Sequence, residues 1–427
     1  MIQKITIKNF MSFKDEVTFS FEASKDEFAE DYQVVKVNDN TRLLRFAIVY
    51  GYNASGKSNL LKSFQFLLKF CFQGPKDSDD GTKIEPFELD LVSINEPTVF
   101  DLVFFVDKVR YRYQLTLDKI QVLLEKLSYY ETTQPIKLFE RVYENNSLIL
   151  TFGSDIKISK TIKELIEGQC LKNMSLFEAL PKVNANMPLI DSARVYLKTM
   201  MKNFVTPKNN LINEALMNLP NNQALSTYLL DFIHNADFNI TNIKTKVHKR
   251  TVPDVWRNLF IKEDSIPDFI KKNFLSNNVL MEEVETLMEH TVENERGVEN
   301  YTMSLDKESE GTLRMLGVES RLFDIIKGNE FLAIDEIETS LHPKLLEKIL
   351  FEFLKQEDTQ SQMIVTTHND GLLDLIGDLI RKDSVWFTEK KKSGATDLYK
   401  LTDFRGLNRI SSIREAYRLK RFGATMN

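Results

Sequence analysis

The feature that most constrains this chain is the stretch GYNASGKS at positions 51–58. It fits the pattern GxxxxGK[ST], and it directly follows the apolar run LLRFAIVY at 43–50. Apolar residues then recur at helical spacing, at Leu60, Leu61, Phe64, Leu67 and Leu68. A buried strand, a glycine-rich turn and an amphipathic helix are the context that this pattern requires. The sequence therefore predicts an α/β domain with a phosphate-binding loop.

The residue types in this loop suit phosphate chemistry. Gly51 and Gly56 let the main chain approach phosphate oxygens, whose charge the following helix N-terminus favours. Lys57 adds a positive charge near the β- and γ-phosphates, and Ser58 offers a hydroxyl to Mg²⁺. A chance glycine turn is the alternative, which the flanking strand and helix disfavour. The residues expected to contact nucleotide here are Gly51, Asn53, Ala54, Ser55, Gly56, Lys57, Ser58 and Asn59.

A second signal is the run FLAIDE at 331–336, an apolar strand that ends in two carboxylates. At the carboxyl edge of a parallel sheet, Asp335 is placed to hold Mg²⁺, probably the commonest use of such an acid in nucleotide sites. Glu336 follows directly, where a general base could reach an attacking water. A solvated acid pair at a strand end is the alternative reading of this pattern on its own.

Two further signals are weaker alone. Ser309 opens the stretch SEGT as a helix N-cap, and Gly311 permits close approach of another backbone, so this helix start could face a γ-phosphate. An ordinary capped helix is the alternative. His368 ends the strand MIVTTH and could contact the γ-phosphate or the attacking water, although a structural histidine is the alternative.

The order of patterns along the chain predicts three regions. Residues 1–150 form an N-terminal lobe with an antiparallel strand arm near 97–130, and residues 301–427 form a C-terminal lobe that completes a mainly parallel sheet. Residues 151–300 are expected to be a mostly helical insertion. Its helix-like segments are KTIKELIEG, SARVYLKTMMKNF, LSTYLLDFIHNA, PDFIKKNFL and LMEEVETLMEH.

Composition excludes several classes of protein. No apolar run approaches the roughly 18 residues of a membrane-spanning helix, and the start MIQKITIKNF resembles a strand, so a cytoplasmic location is expected. The net charge of -6 excludes a globally basic nucleic-acid binder. A local basic face remains open over residues 405–421, although a solvated helix face is the commoner explanation. Cys71 and Cys170 are expected to be buried reduced thiols.

In this order, GYNASGKS, SEGT, FLAIDE, ETSLHP and IVTTH resemble the motifs of ABC-type ATPase heads of the SMC/RecF group. The stretches ESEGT, IDEIETSLHP, DLYKLTDF and RFGA resemble more closely the AAA family ATPases of prokaryotic anti-phage defence operons, among them RloA and AriA, which are related to OLD proteins. The resemblance covers most of residues 1–115 and 295–425. It implies an ABC-type P-loop NTPase head, with ATP and Mg²⁺ as cofactors.

The resemblance also implies a head-to-tail dimer around two ATP molecules, with higher oligomers open. Ser309 and Gly311 of one copy would close on the phosphates held by Lys57 of the other, and residues 338–342 would lie at the dimer seam. Asp335 would bind the metal, with Glu336 and His368 as catalytic residues. The Q-loop glutamine is not located, since Gln73 follows Ser58 too soon. A nuclease of the Toprim type, fused in OLD proteins, would here be a separate partner.

Three functions follow from these expectations. The first is an ATPase whose closure regulates a separate toxin or nuclease in phage defence. The second is a DNA repair or recombination clamp of the RecF type, for which the C-terminal arginines are the sequence hint. The third is an ATP-dependent scaffold with little turnover, which the presence of Glu336 disfavours.

Overall fold

A computed structural model describes residues 1–75, 77–144, 147–200, 203–236, 239–251 and 280–425. The chain divides into two compact units. The first unit comprises Met1–Asn209, Ile325–Thr339 and Ile349–Asn427, and the second comprises Asn210–Asp324 and Ser340–Lys348. Within the described ranges, no helix combines the length and the apolar character that crossing a bilayer requires.

The described strands and helices are numbered here in chain order. The strands are β1 (Ile2–Lys8), β2 (Val17–Ser20), β3 (Val34–Asn38), β4 (Thr41–Leu44), β5 (Phe46–Tyr50), β6 (Thr98–Val106), β7 (Val109–Leu117), β8 (Val122–Tyr130), β9 (Pro135–Glu144), β10 (Ser147–Phe152), β11 (Phe204–Val205), β12 (Ile240–Thr251), β13 (Leu280–Asn294), β14 (Gly297–Ser304), β15 (Phe331–Ile334), β16 (Gln362–Thr367), β17 (Val385–Lys390) and β18 (Thr396–Lys400). The helices are α1 (Glu30–Gln33), α2 (Lys57–Phe72), α3 (Lys160–Gln169), α4 (Leu176–Ala179), α5 (Pro188–Thr199), α6 (Leu211–Asn218), α7 (Gln223–Asn235), α8 (Glu310–Gly328), α9 (Pro343–Leu354) and α10 (Ile413–Arg418).

The first unit contains a six-stranded sheet in the order β11-β15-β16-β5-β17-β18. All its pairings are parallel except that of β17 with β18, which is antiparallel. Strands β5, β15 and β16 are buried at every position, as expected for strands covered on both faces. Strand β5 comes from the N-terminal part of the chain and lies between two C-terminal strands, so the predicted completion of the sheet by the C-terminal lobe is confirmed.

A second sheet in the same unit is antiparallel and has seven strands, in the order β10-β9-β8-β7-β6-β1-β2. Its β6–β7 hairpin turns at 107–108, with Val106 paired to Val109, as the sequence predicts. This sheet is the antiparallel β arm of the predicted fold class. Together with the mainly parallel sheet and its phosphate loop, it gives the α/β architecture of an ABC-type P-loop NTPase head.

Helix α2 packs between the two sheets of the first unit. Its Phe64 ring lies 6.2 Å from the ring of Phe19 in β2 and 5.5 Å from that of Phe331 in β15, measured between centroids. The predicted apolar face of α2 is buried in this shared core. Gln362 adds a polar connection, because its buried amide exchanges hydrogen bonds with the main chain of Ile2 and donates to the carbonyl of Leu44. These contacts fix the start of α2 against both sheets.

The second unit contains helices and a three-stranded antiparallel sheet, β12-β13-β14. The helix prediction for LMEEVETLMEH is wrong, since Leu280–Asn294 is strand β13. Its helical spacing of apolar residues hides a period of two, in which Thr286 and Met288 are buried and Glu285 is exposed. Pairing on both edges supplies every backbone partner, and such tertiary pairing overrides weak helix propensity.

The other helix predictions within 151–300 have separate outcomes. KTIKELIEG, SARVYLKTMMKNF and LSTYLLDFIHNA contain α3, α5 and α7, so helices exist in all three. The segment PDFIKKNFL lies outside the described residues. The region between residues 151 and 300 therefore holds both helices and long strands.

A buried ion pair ties the arm to the segment before α4. Glu125 and Arg141 are fully buried and lie 3.2 Å apart. Glu125 also accepts hydrogen bonds from the Tyr113 hydroxyl at 2.8 Å and the Ser175 hydroxyl at 2.6 Å. Arg141 donates to the main-chain carbonyl of Leu171 at 2.7 Å. Because each charge is fully enclosed, each depends on the other for compensation.

Replacing Glu125 with Ala is expected to lower the free energy of unfolding by about 3–5 kcal/mol, because Arg141 would stay buried without its counter-charge. Urea unfolding followed by circular dichroism measures the change. Glu140→Ala is the matched control on the same sheet, since Glu140 pairs with Lys126 at a half-exposed position. That control should lose at most about 1 kcal/mol. Equal losses in the two variants would contradict the role assigned to the buried pair.

Candidate functional site

The phosphate loop runs from the end of β5 to the start of α2, as the sequence predicts. Gly56 has φ 112°, and a Cβ added there would lie 2.4 Å from the Thr396 hydroxyl oxygen. A Cβ at Gly51 would lie 2.4 Å from the Ser55 hydroxyl oxygen and 2.7 Å from the Thr388 carbonyl oxygen. Both positions therefore require glycine, one for its backbone conformation and both for lack of space.

Hydroxyl groups from distant segments hold the loop in place. The hydroxyls of Ser55 and Thr388 lie 2.7 Å apart, and the Thr396 hydroxyl donates to the Ser55 carbonyl at 2.8 Å. Ser12, in the turn between β1 and β2, accepts from the Asn59 amide at 2.8 Å and from the Thr396 hydroxyl at 2.8 Å. Nothing in the sequence marks these three partners, because their hydroxyls have no pattern linking them to the loop. Asn53 and Ala54 lie at the exposed tip of the loop.

Lys57 begins α2 and turns its ammonium group back toward the loop. Its Nζ donates to the carbonyl oxygens of Gly51 at 2.7 Å and Tyr52 at 3.3 Å. Burial lowers the pKa of Lys57, and the carboxylates of Glu338, Glu336 and Asp335 oppose that shift. The positive charge is thus enclosed by loop carbonyls and lies within reach of the acids that follow β15.

Ser58 and Asp335 come together at the carboxyl edge of the parallel sheet. The Ser58 hydroxyl donates to Asp335 Oδ1 at 3.0 Å. The Thr366 hydroxyl, from β16, donates to the same oxygen at 2.6 Å. A serine hydroxyl beside a carboxylate is a pair of hard oxygen donors, the type that Mg²⁺ binds in nucleotide sites. The two residues predicted as metal ligands therefore fit this ion.

Glu336 has a constrained backbone. Its φ is 48°, in the left-handed region that non-glycine residues seldom occupy. Its N–H donates to the Thr366 hydroxyl at 2.8 Å, so Thr366 binds both members of the acid pair. Such a conformation costs about 1–3 kcal/mol and persists only where neighbours enforce it. Thr366 is a site residue that the sequence alone does not reveal.

His368 contacts an acid that sequence reasoning did not assign to the catalytic group. Its ring Nδ1 lies 2.6 Å from Glu338 Oε1, and its backbone N–H donates to the same oxygen at 2.7 Å. Glu338 stands two residues beyond Glu336. Its place in the run IDEIE, directly after a buried strand, is the signal that could have identified it.

Ser309 and Gly311 belong to the second compact unit, whereas the residues above belong to the first. The Ser309 hydroxyl accepts from the Thr312 N–H at 3.1 Å, so the predicted N-cap of α8 is confirmed. A Cβ at Gly311 would lie 2.9 Å from the Ser340 carbonyl oxygen, which leaves no room for a side chain. Gln73 caps the C-terminus of α2, a helix about 24 Å long, so it does not serve the loop at the other end.

The basic stretch at the C-terminus is partly neutralised. Arg414 lies 3.1 Å from Asp370 and 2.6 Å from Asp374, and Arg418 lies 2.5 Å from Asp370. These contacts lower the pKa of Asp370, with the Arg418 hydrogen bond as the largest cause. Two of the arginines that suggested a nucleic-acid face therefore have acidic partners within the chain.

Comparison with protein families gives one match that covers most of the chain. The family described as "AAA domain, putative AbiEii toxin, Type IV TA system" matches residues 46–374. This range includes the phosphate loop, Ser309, Gly311, both acids after β15 and His368. No curated protein matches the sequence significantly.

Solved structures with a similar chain path include heads of SMC proteins. The SMC head domain from Thermotoga maritima is 14% identical, with a TM-score of 0.41 and coverage of 93% of this chain and 98% of that one. The Smc head domain with an extended coiled coil bound to the C-terminal domain of ScpA, derived from Pyrococcus furiosus, is 14% identical, with a TM-score of 0.40 and coverage of 99% and 98%.

Replacing Thr366 with Val is expected to weaken Mg²⁺-dependent nucleotide binding about tenfold or more, because Asp335 loses a donor and the Glu336 N–H loses its acceptor. Titration of a fluorescent ATP analogue with Mg²⁺ and with EDTA measures the effect. Thr366→Ser is the matched control, since it keeps the hydroxyl and should bind nearly as wild type does. An unchanged Mg²⁺ dependence in Thr366→Val would contradict the assigned role.

Proposed function

The chain belongs to the AAA domain family matched over residues 46–374, and from this premise we propose that it binds and hydrolyses ATP to regulate a separate protein. The observation that carries the proposal is the convergence of Lys57, Ser58 and Asp335 at one sheet edge, with Glu336 next in the chain. A phosphate loop, a metal-binding oxygen pair and a carboxylate base are the groups that hydrolysis of a phosphoanhydride needs.

Each group has a separate task in this proposal. The loop N–H groups and Lys57 bind the phosphates, and Lys57 stabilises the charge that develops as the terminal phosphoryl group leaves. Mg²⁺, when bound by Ser58 and Asp335, supplies further charge neutralisation. Glu336 accepts a proton from the attacking water, while Thr366 fixes the Glu336 backbone through its N–H.

We propose that the complete site is shared between two copies arranged head to tail. Ser309 and Gly311 lie at the N-terminus of α8, where unpaired N–H groups favour a negative charge. The N-terminus of α2 has the same character in the phosphate loop. Two such surfaces gain from a polyanion between them, so ATP would stabilise the closed dimer more than the open one. Support comes from the resemblance of SEGT to the signature motif of ABC-type heads.

The output of closure is proposed to be control of a separate toxin or nuclease subunit in a defence system. The family description supports this direction, since it refers to an AbiEii toxin and a type IV toxin–antitoxin system. A DNA clamp has less support, because Arg414 and Arg418 are already paired with Asp370. Weak or absent DNA binding at low salt is consistent with a protein target, and steep salt-dependent binding would favour the clamp.

Glu336→Gln is expected to reduce ATP turnover at least a hundredfold, because the amide cannot accept the proton from water. ATP binding should persist, so the variant should form a dimer in the presence of Mg²⁺ and ATP. Phosphate release and light scattering after size exclusion measure the two properties. The control is Glu347→Gln, an exposed acid on α9, which should behave as wild type does. Wild-type turnover in Glu336→Gln would remove the role of Glu336.

The shared site makes a second prediction. Lys57→Ala and Ser309→Arg should each be inactive alone, because either change affects both sites of a symmetric dimer. Mixing the two variants should restore activity to about a quarter of wild type, since half of the dimers are mixed and each mixed dimer has one intact site of two. ATPase assays across mixing ratios measure this recovery.

The control for mixing is the double variant Lys57→Ala/Ser309→Arg combined with either single variant. Neither mixture contains a dimer with an intact shared site, so neither should recover activity. Absence of recovery in the mixture of the two single variants, with dimers present, would contradict a site composed of two copies.

A further inference from the structure

Glu338 is bound to His368 through two contacts with one carboxylate oxygen. Oε1 lies 2.6 Å from the ring Nδ1 and accepts from the backbone N–H of the same residue at 2.7 Å. A ring held at one nitrogen and at its own backbone keeps both its position and its orientation. The contact is made from the loop after β15 to the end of β16, neighbouring strands of the parallel sheet.

Burial differs sharply between the two partners. The Glu338 side chain is 11% exposed, whereas that of His368 is 59% exposed. The second carboxylate oxygen, Oε2, is buried and has no hydrogen-bond partner among the described residues. A surface ion pair would expose both groups, but here the acid is enclosed and only the histidine reaches outward. This is the arrangement of a support and the group that it supports.

A nearby positive charge allows a carboxylate to remain enclosed at this position. Burial lowers the pKa of Lys57, and Glu338 is the foremost of the carboxylates that oppose this shift. The acid therefore interacts with the ammonium group of the phosphate loop while it binds His368 by hydrogen bonds. Glu338 lies electrostatically between two groups that are assigned to the nucleotide's terminal phosphate.

The contact at Nδ1 decides the chemistry of the ring. A neutral imidazole carries its proton on one nitrogen, and a carboxylate beside Nδ1 holds the proton there. Nε2 is then the ring nitrogen with a free lone pair. Because the ring is more than half exposed, Nε2 is open to a group that arrives from outside the chain.

We propose that Glu338 is a positioning residue for ATP hydrolysis, which fixes His368 in the Nδ1–H form and leaves Nε2 to the attacking water or the terminal phosphate. The inference rests on the proposed ATPase function. It separates the two acids of the run IDEIE: Glu336 acts on water, and Glu338 acts only through His368. The histidine is thereby coupled to the second acid of this run.

The kinetic test compares three substitutions. Glu338→Ala should lower kcat about tenfold to a hundredfold and leave KM within about threefold, because ATP binding does not require the ring orientation. Glu338→Gln keeps an oxygen that can accept both N–H groups and should recover most of kcat. Glu347→Ala is the control at an exposed acid and should not differ from wild type. A change in KM alone would overturn the proposal.

A double variant tests whether Glu338 acts through the histidine. Glu338→Ala/His368→Ala should be no slower than His368→Ala, within about twofold, since the support has no effect without the group it holds. If the two losses multiply, Glu338 acts by another route and the proposal is overturned. This readout is insensitive to a general loss of packing, because packing losses would lower both variants further.

A measurement without turnover separates this inference from the proposed function. In ¹⁵N-histidine spectra at about pH 9, well above the ordinary imidazole range, the ring of His368 should carry its proton on Nδ1. Its resonances are assigned by their loss in His368→Gln. Glu338→Ala should move the proton toward Nε2. A wild-type ring protonated on Nε2 would refute the inference, whereas a chain that hydrolyses no ATP would refute the proposed function alone.

Discussion

The parallel pairing of β5 with β16 is the interaction on which the site depends. Its register runs from Phe46 opposite Met363 to Tyr50 opposite Thr367, so both strands end at the same level. The carboxyl ends of parallel strands share one edge, and that edge therefore receives the phosphate loop after β5. A slip of one residue would turn Thr366 to the other face of the sheet and away from Asp335.

The charged groups at this edge are satisfied within the chain. Lys57 donates to two loop carbonyls, which uses two of its three donors. Asp335 accepts from two hydroxyls, and Glu338 accepts twice from His368. Nucleotide that engages these groups exchanges internal hydrogen bonds for phosphate contacts. The affinity is thus a difference between two sets of interactions, which allows modest changes in geometry to alter binding.

Backbone strain accompanies this arrangement. Ala54 and Glu336 both have positive φ, at 65° and 48°, and both lie in segments that follow buried strands. Neither residue lacks a Cβ, so the conformation is enforced by the surrounding contacts, such as the hydrogen bond from Glu336 to Thr366. Strain of this kind concentrates where side chains must be aimed at a ligand. The same reasoning does not apply to Gly56, whose φ of 112° is natural for glycine.

The sequence alone determined the phosphate loop, the strand and helix that flank it, the acid pair after β15 and the N-cap at Ser309, because each is encoded by neighbouring residues. It misread Leu280–His290, where a helical spacing and a strand spacing coexist and pairing with β12 and β14 decides. Only the tertiary structure revealed Ser12, Thr366 and the grip of Glu338 on His368. These contacts join side chains far apart in the chain, and a hydrogen bond between distant residues leaves no periodic trace in either segment.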